Sequence, residues 1–272
     1  MASSAVNLTG EAGGEMSLSI MTINSVVLEK DMNIAVYCPN GYENTALPVL
    51  YFLHGRSGNE SLLTQLGMDK LSDRLIDIGA IKPMIIVCPN MDNSRGINSS
   101  DIYHEIAGKY GAVNKGMYED YLLQEVIPYI ERRFCADQSR SGRFIGGISS
   151  GGYSALSIGL RHSDLFSKIG GHMPAIDLSY KDEDEAYFAD KAMWLRYDPV
   201  AIAEKGIFHK INVYLDDGKD DEGQFYRACE KLTAVLKSQG ADVQFYLFDG
   251  HHDQNYVLSH LHQYLLFYGG NQ

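Results

Sequence analysis

Residues 144–153, with the sequence FIGGISSGGY, join an apolar stretch to a glycine-flanked serine and a run of small residues. Gly147-Ile-Ser149-Ser-Gly151 matches the pattern G-x-S-x-G, which is weak evidence alone because glycine and serine are common. Here the pattern lies between a strand-like and a helix-like segment, so we predict a tight turn with Ser149 at its tip. Such a turn exposes a hydroxyl and offers helix N-terminal N–H groups to an oxyanion. The segment therefore predicts a nucleophilic serine, because it lacks the lysine of a phosphate-binding loop and the spacing of a dinucleotide site.

Short apolar segments alternate with helical patterns along the rest of the chain. Strands are predicted at residues 17–28, 32–38, 49–53, 84–88, 143–148, 211–215 and 243–248. Helices are predicted at residues 68–78, 118–134, 151–161, 224–239 and 254–267, with a kink at Pro128. This alternation predicts a mostly parallel sheet with helices on both faces and an antiparallel N-terminal edge. Together with the G-x-S-x-G turn between a strand and a helix, it is typical of an α/β-hydrolase type of fold.

Charge and length restrict the partners and the domain count. The 272 residues include 35 acidic and 23 basic ones, and nucleic acids or anionic membranes require a basic surface instead. No segment approaches the roughly 18–20 apolar residues of a membrane span, and the N-terminus lacks the pattern of a signal peptide. We therefore expect a cytoplasmic protein with a disordered lead-in at residues 1–16 and a single domain at residues 17–272.

The four cysteines are widely scattered. Cys38, Cys88, Cys135 and Cys229 show no C-x-x-C spacing of a metal site. In a reducing cytoplasm this spacing predicts four buried free thiols rather than disulfides.

Residues 174–199 are long for a connection between a strand and a helix. They include the acidic run KDEDE and predict either a solvated loop or a small cap over the active site. In the cap hypothesis, Tyr187, Phe188 and Trp194 line a pocket for the acyl or alcohol group.

A second glycine-rich turn follows the predicted strand at residues 49–53. The sequence HGRSG at residues 54–58 suits a loop that brings a backbone N–H close to a substrate carbonyl. We assign this second oxyanion donor to Arg56, with Ser57 as the alternative, and the first donor to Ser150. His54 is expected to be a structural residue, because the base of this fold follows the nucleophile in the chain.

The acid of a Ser–acid–His triad should follow a late strand, and four aspartates compete for that role. Asp216, Asp217, Asp220 and Asp221 all follow the predicted strand at residues 211–215. We prefer Asp221, because it lies beyond the turn at Gly218 and a carboxylate there can reach back to a histidine.

The base should follow the last strand, where two histidines are adjacent. His251 and His252 both qualify, and we prefer His252, which immediately precedes the acidic residue that opens the last helix. A metal site is not expected: His260 and His262 are two residues apart on a helix and face different directions.

These motifs together resemble the esterase D-like family of α/β-hydrolases over about residues 16–268. That family includes bacterial tributyrin esterases, S-formylglutathione hydrolases and feruloyl or acetyl-xylan esterases. The segments that carry the resemblance are LPVLYFLHG with SGNE at residues 47–60, YEDYLLQEVIPYI at residues 118–130, and residues 144–153. The first of them looks closest to the tributyrin-esterase branch.

The resemblance assigns the same triad and also identifies two departures. The family's Gly-x-x-Asp falls on Gly218 and Asp221, and its Gly-Gly-His-Asp-Trp places the base on His252. Ser150 stands where the family usually has Met, and Gln254 replaces the family Trp.

The expected activity is the hydrolysis of short-chain acyl esters without a cofactor. Alternatives on the same fold are an S-formylglutathione hydrolase-like thioesterase, a feruloyl or acetyl-xylan esterase and an acyltransferase; a non-catalytic binding protein is least favoured. The expected partner is a small-molecule ester, and homo-oligomerisation is left open. Ser57, Tyr153, Trp194 and Gln254 are predicted to line the substrate pocket.

Overall fold

A computed structural model describes residues 18–42 and 44–270, so the lead-in expected at residues 1–16 lies outside the described residues. Ten strands are present in this part of the chain: β1 Leu18–Ser25, β2 Lys30–Tyr37, β3 Val49–Leu53, β4 Ile85–Pro89, β5 His104–Gly108, β6 Gly111–Lys115, β7 Arg143–Ile148, β8 Lys168–His172, β9 Asn212–Gly218 and β10 Asp242–Phe248. Eight of them form one sheet in the order β1-β2-β4-β3-β7-β8-β9-β10, and β5 and β6 form a separate hairpin. The pairs β1–β2 and β2–β4 are antiparallel, and the pairs from β4–β3 to β9–β10 are parallel. The predicted α/β-hydrolase fold with an antiparallel N-terminal edge is confirmed.

Helices cover both faces of this sheet. They are α1 Leu62–Gln65, α2 Met68–Asp77, α3 Tyr118–Asp120, α4 Ile127–Arg133, α5 Ser150–Arg161, α6 Lys191–Tyr197, α7 Pro199–Ala203, α8 Tyr226–Ser238 and α9 Gln254–Gly269, with a π-helical turn at Tyr121–Val126. Alternate residues of the strands enter two separate apolar cores, one that includes α5 and α8 and one that includes α2 and α9. Because both faces are covered, β3 and β4 are buried at every residue, as their continuous apolar sequences predict.

The helix predicted at residues 118–134 changes its geometry just before Pro128. The π-helical turn at Tyr121–Val126 separates α3 from α4. Pro128 has no N–H, and its ring would collide with the carbonyl of Gln124 in a regular α-helix. A wider turn relieves that collision, so the expected disruption takes the form of a π-helical turn.

Several elements were missed in the sequence. Strand β8 has the sequence KIGGH, whose two glycines weaken the strand signal, and the hairpin of β5 and β6 was not predicted. Residues 174–199 are more than a plain loop, because they contain a 3₁₀ turn at Asp182–Ala186, α6 and the start of α7. Tyr187, Phe188 and Trp194 in this segment are at most 6% exposed and pack in the core, and none of them lines the cavity next to Ser149, which corrects the prediction that they form its wall.

The states of the four cysteines agree only in part with the prediction of four buried free thiols. None of the four described cysteines forms a disulfide, and Cys88 and Cys229 are buried. Cys135 is exposed and Cys38 is half-buried, so the prediction that all four are buried is wrong. Among the residues that the structure describes, no helix is long and apolar enough to cross a membrane.

Candidate active site

Ser149 occupies the turn between β7 and α5 in a backbone conformation that residues other than glycine rarely adopt. Its φ is 53° and its ψ is −119°, outside the region of regular helix or strand. The turn is closed by close backbone contacts: a Cβ at Gly147 would lie 2.5 Å from the carbonyl oxygen of Gly151, and one at Gly151 would lie 2.2 Å from that of Leu53. Glycine at both positions therefore permits the turn, and the strained serine is the kind of feature that accompanies function.

His252 lies on the loop after β10 and contacts the serine directly. Its Nε2 is 2.8 Å from Ser149 Oγ. Asp253, the next residue, caps α9 by accepting a hydrogen bond from the N–H of Tyr256 at 2.9 Å, which fixes the loop against the helix. His251 instead has a side chain that is 60% exposed and is paired with Glu222 at 3.0 Å. The structure thus brings His252, and not His251, to the serine.

Asp221 lies behind His252, on the loop after β9. Its Oδ2 is 3.5 Å from His252 Nδ1. Its Oδ1 accepts a hydrogen bond from the N–H of Gly223 at 2.8 Å, and Oδ2 accepts one from the N–H of Phe225 at 3.4 Å. Burial alone would raise the pKa of Asp221, but the interactions with His252 and these N–H groups lower it. The carboxylate is therefore held ionised next to the imidazole.

The other three aspartates considered for this role have different surroundings. Asp216 is buried on the face of β9 opposite to Asp217, where it accepts hydrogen bonds from the hydroxyls of Tyr256 and Tyr264 at 3.1 and 2.9 Å. Asp220 is exposed. Asp217 is buried beside Asp221, and its pKa is raised to about 8 by burial and by the charge of Asp221.

Asp217, Asp221 and His252 also form a cluster with metal-compatible spacing. Their ligand-type atoms lie within 4.8 Å of one another, and no other such cluster occurs in residues 18–42 and 44–270. The raised pKa of Asp217 means that one member of this cluster keeps a proton at neutral pH. A carboxylic acid and a carboxylate that share a proton satisfy each other without a cation, so the cluster fits a chain of hydrogen bonds.

Two backbone segments border the position of a substrate carbonyl. Ser150 is the first residue of α5, so its N–H is among the first-turn donors that the helix itself leaves open. The loop after β3 passes against the nucleophile, because a Cβ at Gly55 would lie 3.4 Å from the Cβ of Ser149. Arg56 follows Gly55 in that loop, at the position predicted for the second donor.

His54 anchors this loop from below. It is 3% exposed, its Nδ1–H donates to the carbonyl of Gly55 at 2.8 Å and its Nε2 accepts from the N–H of Met91 at 2.9 Å. Burial lowers the pKa of His54, which keeps the ring neutral and suited to donate and accept at the same time. These contacts match the structural role predicted for His54.

A cavity of about 600 Å³ opens in front of Ser149. It is lined by Arg56, Lys109, Tyr110, Ser149, Ala175, Lys181, Glu183, Asp221, Glu222, Gly223, Phe225 and His252. Five of these twelve side chains are charged residues outside the triad, so the entrance is polar. The wall therefore suits a substrate whose groups outside the acyl chain are polar.

The pocket residues predicted from the sequence are not in this lining. Tyr153, in α5, is 1% exposed and its ring packs edge-on against that of Phe188. Trp194 is 5% exposed and lines a different cavity, of about 210 Å³. Ser57 and Gln254 are exposed outside the lining. Tyr153 and Trp194 have large apolar rings whose burial in the core is favourable. The sequence pattern does not distinguish a ring in the core from a ring in a pocket wall.

The hairpin of β5 and β6 supplies a wall that sequence reasoning missed. Its two-residue tip, Lys109 and Tyr110, lies between the paired residues Gly108 and Gly111. Lys109 Nζ is 3.2 Å from Glu183 Oε2, and the Arg56 guanidinium lies 4.7 Å from the centre of the Tyr110 ring. The tip lacks the Asn-Gly or Asp-Gly pair that marks a two-residue hairpin turn, so no strong local signal identified this wall.

Comparisons with known proteins agree with this architecture. A family model described as "Putative esterase" matches residues 25–268. A ferulic acid esterase has a TM-score of 0.79 at 24% identity, with 94% of this chain and 99% of that chain covered. A fluorophosphonate-binding serine hydrolase of Staphylococcus aureus has a TM-score of 0.74 at 20% identity, with 95% and 100% covered.

A third solved structure has the same fold. An S-formylglutathione hydrolase from Agrobacterium tumefaciens has a TM-score of 0.74 at 19% identity, with 94% of this chain and 96% of that chain covered. At these identities the structures show a shared fold, whereas the family model matches nearly the whole sequence. The chain therefore belongs to this esterase family, has the α/β-hydrolase fold and is a carboxylic ester hydrolase.

Proposed function

We propose that the chain hydrolyses short-chain acyl esters through an acyl-enzyme formed on Ser149. The observation that carries the proposal is the continuous line of contacts from Ser149 Oγ to His252 Nε2, at 2.8 Å, and from His252 Nδ1 to Asp221, at 3.5 Å. A neutral imidazole in this position accepts the serine proton while the carboxylate stabilises the imidazolium that forms.

Acylation begins when Ser149 Oγ attacks the ester carbonyl carbon and its proton passes to His252 Nε2. The carbonyl oxygen becomes an oxyanion that the N–H groups of Ser150 and Arg56 stabilise. Collapse of this intermediate breaks the bond to the alkoxy oxygen, which takes the proton from His252 and leaves as the alcohol. The acyl group remains bonded to Ser149.

Deacylation repeats these steps with water as the nucleophile. Water loses a proton to His252 Nε2 and attacks the acyl carbon, and the same N–H groups hold the second oxyanion. Its collapse breaks the bond to Ser149 Oγ, which regains the proton from His252, and the carboxylic acid leaves. Transfer to an alcohol in place of water would make the enzyme an acyltransferase, so the product ratio in added alcohol tests that alternative.

The polar wall of the cavity supports a short acyl group. A long alkyl chain would have to desolvate Arg56, Lys109, Lys181, Glu183 or Glu222, and burying charged groups against hydrocarbon is unfavourable. A feruloyl group is the second candidate, because Tyr110 and Phe225 present rings in the same wall and solved structures of this fold include ferulic acid esterases. A panel of acetyl, butyryl, octanoyl, feruloyl and formyl-thioester substrates separates these candidates. We expect the highest kcat/KM with acetyl or butyryl esters.

The nucleophile is tested by substitution of Ser149. Ser149→Ala removes the attacking oxygen, so kcat for p-nitrophenyl acetate should fall by about 10⁴-fold or more. Ser157→Ala on the same helix is the matched control, because Ser157 is buried and does not line the cavity. A fluorophosphonate probe should label the wild type and the control but not Ser149→Ala. Hydrolysis by Ser149→Ala at a near wild-type rate would refute the proposal.

A further inference from the structure

Asp217 is a buried carboxyl group to which the triad mechanism gives no role. It is 0% exposed and lies near the end of β9, on the face opposite Asp216. Its Oδ1 accepts a hydrogen bond from the N–H of Gly218 at 2.8 Å. Its Oδ2 is fully buried and has no hydrogen-bond partner among residues 18–42 and 44–270. A buried polar atom in this condition costs free energy unless it donates or accepts, so its surroundings need to be considered.

The unpartnered oxygen of Asp217 lies in the acid and base part of the active site. Ligand-type atoms of Asp217, Asp221 and His252 lie within 4.8 Å of one another. The Nδ1 of His252 is also buried without a close hydrogen bond, since Asp221 is 3.5 Å away. Two carboxyl groups and one imidazole therefore share a site with little access to water.

The groups around Asp217 oppose its ionisation. Asp216 is on the same strand, Asp221 is on the following loop, and the uncharged thiol of Cys229 faces it from α8, with Glu230 next to that thiol. His252 is the basic group in this set, and it is already paired with Asp221. Burial first, and then the charge of Asp221, raise the pKa of Asp217 to about 8.

Asp221 is the member of the pair that carries the charge. It accepts hydrogen bonds from the N–H groups of Gly223 and Phe225 and faces His252, all of which favour a carboxylate. Asp217 accepts one N–H, from Gly218. The proton shared by two neighbouring carboxyl groups therefore belongs on Asp217, and its Oδ2 is the atom that lacks another partner.

We propose that Asp217 is a positioning residue of the catalytic site: as a carboxylic acid, it donates a hydrogen bond from Oδ2 to Asp221 and holds that carboxylate against His252. The inference rests on the proposed function of Ser149, His252 and Asp221. No atom of Asp217 touches the substrate. Its effect passes through the orientation of Asp221 and therefore through the tautomer and basicity of His252.

This arrangement has a consequence at alkaline pH. When Asp217 loses its proton, two carboxylates face each other in a poorly hydrated site and repel. The donated hydrogen bond disappears at the same time, so Asp221 is no longer held towards His252. The kcat of the wild type should therefore fall as pH rises through about 8.

Two substitutions of Asp217 separate hydrogen-bond donation from charge. In Asp217→Asn, the amide nitrogen donates to Asp221 and the amide oxygen accepts from Gly218, but the side chain does not titrate. In Asp217→Leu, a side chain of similar size neither donates nor accepts. Both are measured as kcat and KM for p-nitrophenyl acetate between pH 6 and 9.5, with Asp220→Asn as a control on an exposed neighbouring aspartate.

The expected results differ between the variants. We expect wild type and Asp220→Asn to lose about fivefold in kcat between pH 8 and 9, and Asp217→Asn to lose less than about twofold. At pH 7, Asp217→Asn should be within about threefold of wild type, whereas Asp217→Leu should lose about tenfold or more in kcat with little change in KM. If Asp217 served only to pack the core, the kcat of Asp217→Asn would decline at alkaline pH as that of wild type does. If Asp217→Leu does not fold, the alkaline profile of Asp217→Asn decides.

Three outcomes would overturn the inference. The first is an alkaline decline in Asp217→Asn equal to that of wild type, and the second is a folded Asp217→Leu with wild-type kcat at pH 7. The third is loss of wild-type activity on treatment with EDTA, which would assign the three groups to a cation instead of a shared proton. The first two leave the proposed function intact, because that function is tested by Ser149→Ala and does not depend on Asp217.

Discussion

The adjacent residues His251 and His252 have unlike surroundings, and the difference can be measured. His252 Nε2 contacts Ser149, whereas His251 is exposed and pairs with Glu222. His252→Gln should lower kcat by about 10³-fold or more, because no base then accepts the serine proton. His251→Gln is the matched control and should stay within about twofold of wild type. A comparable loss of kcat in both variants would mean that the conformation of the loop, and not the imidazole of His252, determines activity.

At the residue level, the triad positions followed from chain order, but their surroundings did not. Ser149 was predicted from its turn, and Asp221 and His252 from the strands that precede them. The setting of Asp217 could not be predicted, because the raised pKa arises from a carboxyl group four residues away and from burial under α8. Tyr153 and Trp194 were predicted to line the pocket but are buried in the core, because a large ring suits a core as well as a pocket and the sequence does not distinguish the two.

Among the elements, the hairpin of β5 and β6 has a direct consequence for substrate choice. Tyr110 at its tip is 54% exposed and lies against Arg56 at the cavity wall. Tyr110→Ala should raise KM for aryl esters by about threefold to tenfold and leave kcat nearly unchanged, because the ring lines the cavity in which we propose the substrate binds and is not part of the triad.

The control for this prediction is an exposed tyrosine at another site. Tyr246 on β10 is 42% exposed and does not line the catalytic cavity. Tyr246→Ala should therefore leave KM unchanged for both aryl and alkyl esters. An unchanged KM in Tyr110→Ala, or an equal increase in KM for small alkyl esters, would show that the hairpin does not determine specificity for aryl esters.

Strand β8 also shows why some elements escaped sequence analysis. The sequence KIGGH has one β-branched residue, and its glycines are required by the fold: a Cβ at Gly170 would lie 1.9 Å from the hydroxyl of Tyr268. The tyrosine of α9 therefore packs where a side chain of β8 would otherwise be. Such a requirement depends on a helix almost 100 residues away and leaves no local periodic signal.

For the whole molecule, the order of strands explains the convergence of the site. Ser149, Asp221 and His252 follow β7, β9 and β10, and the loop of Arg56 follows β3. These strands are parallel within one sheet, so their carboxyl ends meet at the same edge. The alternation of strands and helices was enough to predict this meeting, although β8, which lies between β7 and β9, was not identified.

The buried titratable groups of the molecule also determine how its stability depends on pH. Burial lowers the pKa of His54 and His172, so the stability that they contribute is complete above their unfolded pKa of about 6.5 and is lost only as pH falls below it. Asp217 acts in the opposite direction. The folded chain keeps its proton up to about pH 8, whereas an unfolded aspartate loses it near pH 3.9, so stability decreases as pH rises between these values.

Between pH 7 and 8, the difference between wild type and Asp217→Asn isolates Asp217, because the other groups that affect stability there are common to both proteins. They include His251, whose pKa is raised by Glu222, and the buried thiols of Cys88 and Cys229, which stay protonated in the folded chain but begin to ionise in the unfolded one. Over this interval the wild type should lose about 1 kcal/mol of unfolding free energy, or about 2–4 °C in Tm. Asp217→Asn keeps the hydrogen bonds but does not titrate, so its Tm should change by less than about 1 °C. Differential scanning calorimetry at constant ionic strength measures both curves, and parallel curves for the two proteins would show that Asp217 is already ionised at pH 7. In that case the carboxylate pair would be charged throughout, and the protein would have to stabilise two adjacent negative charges in its core.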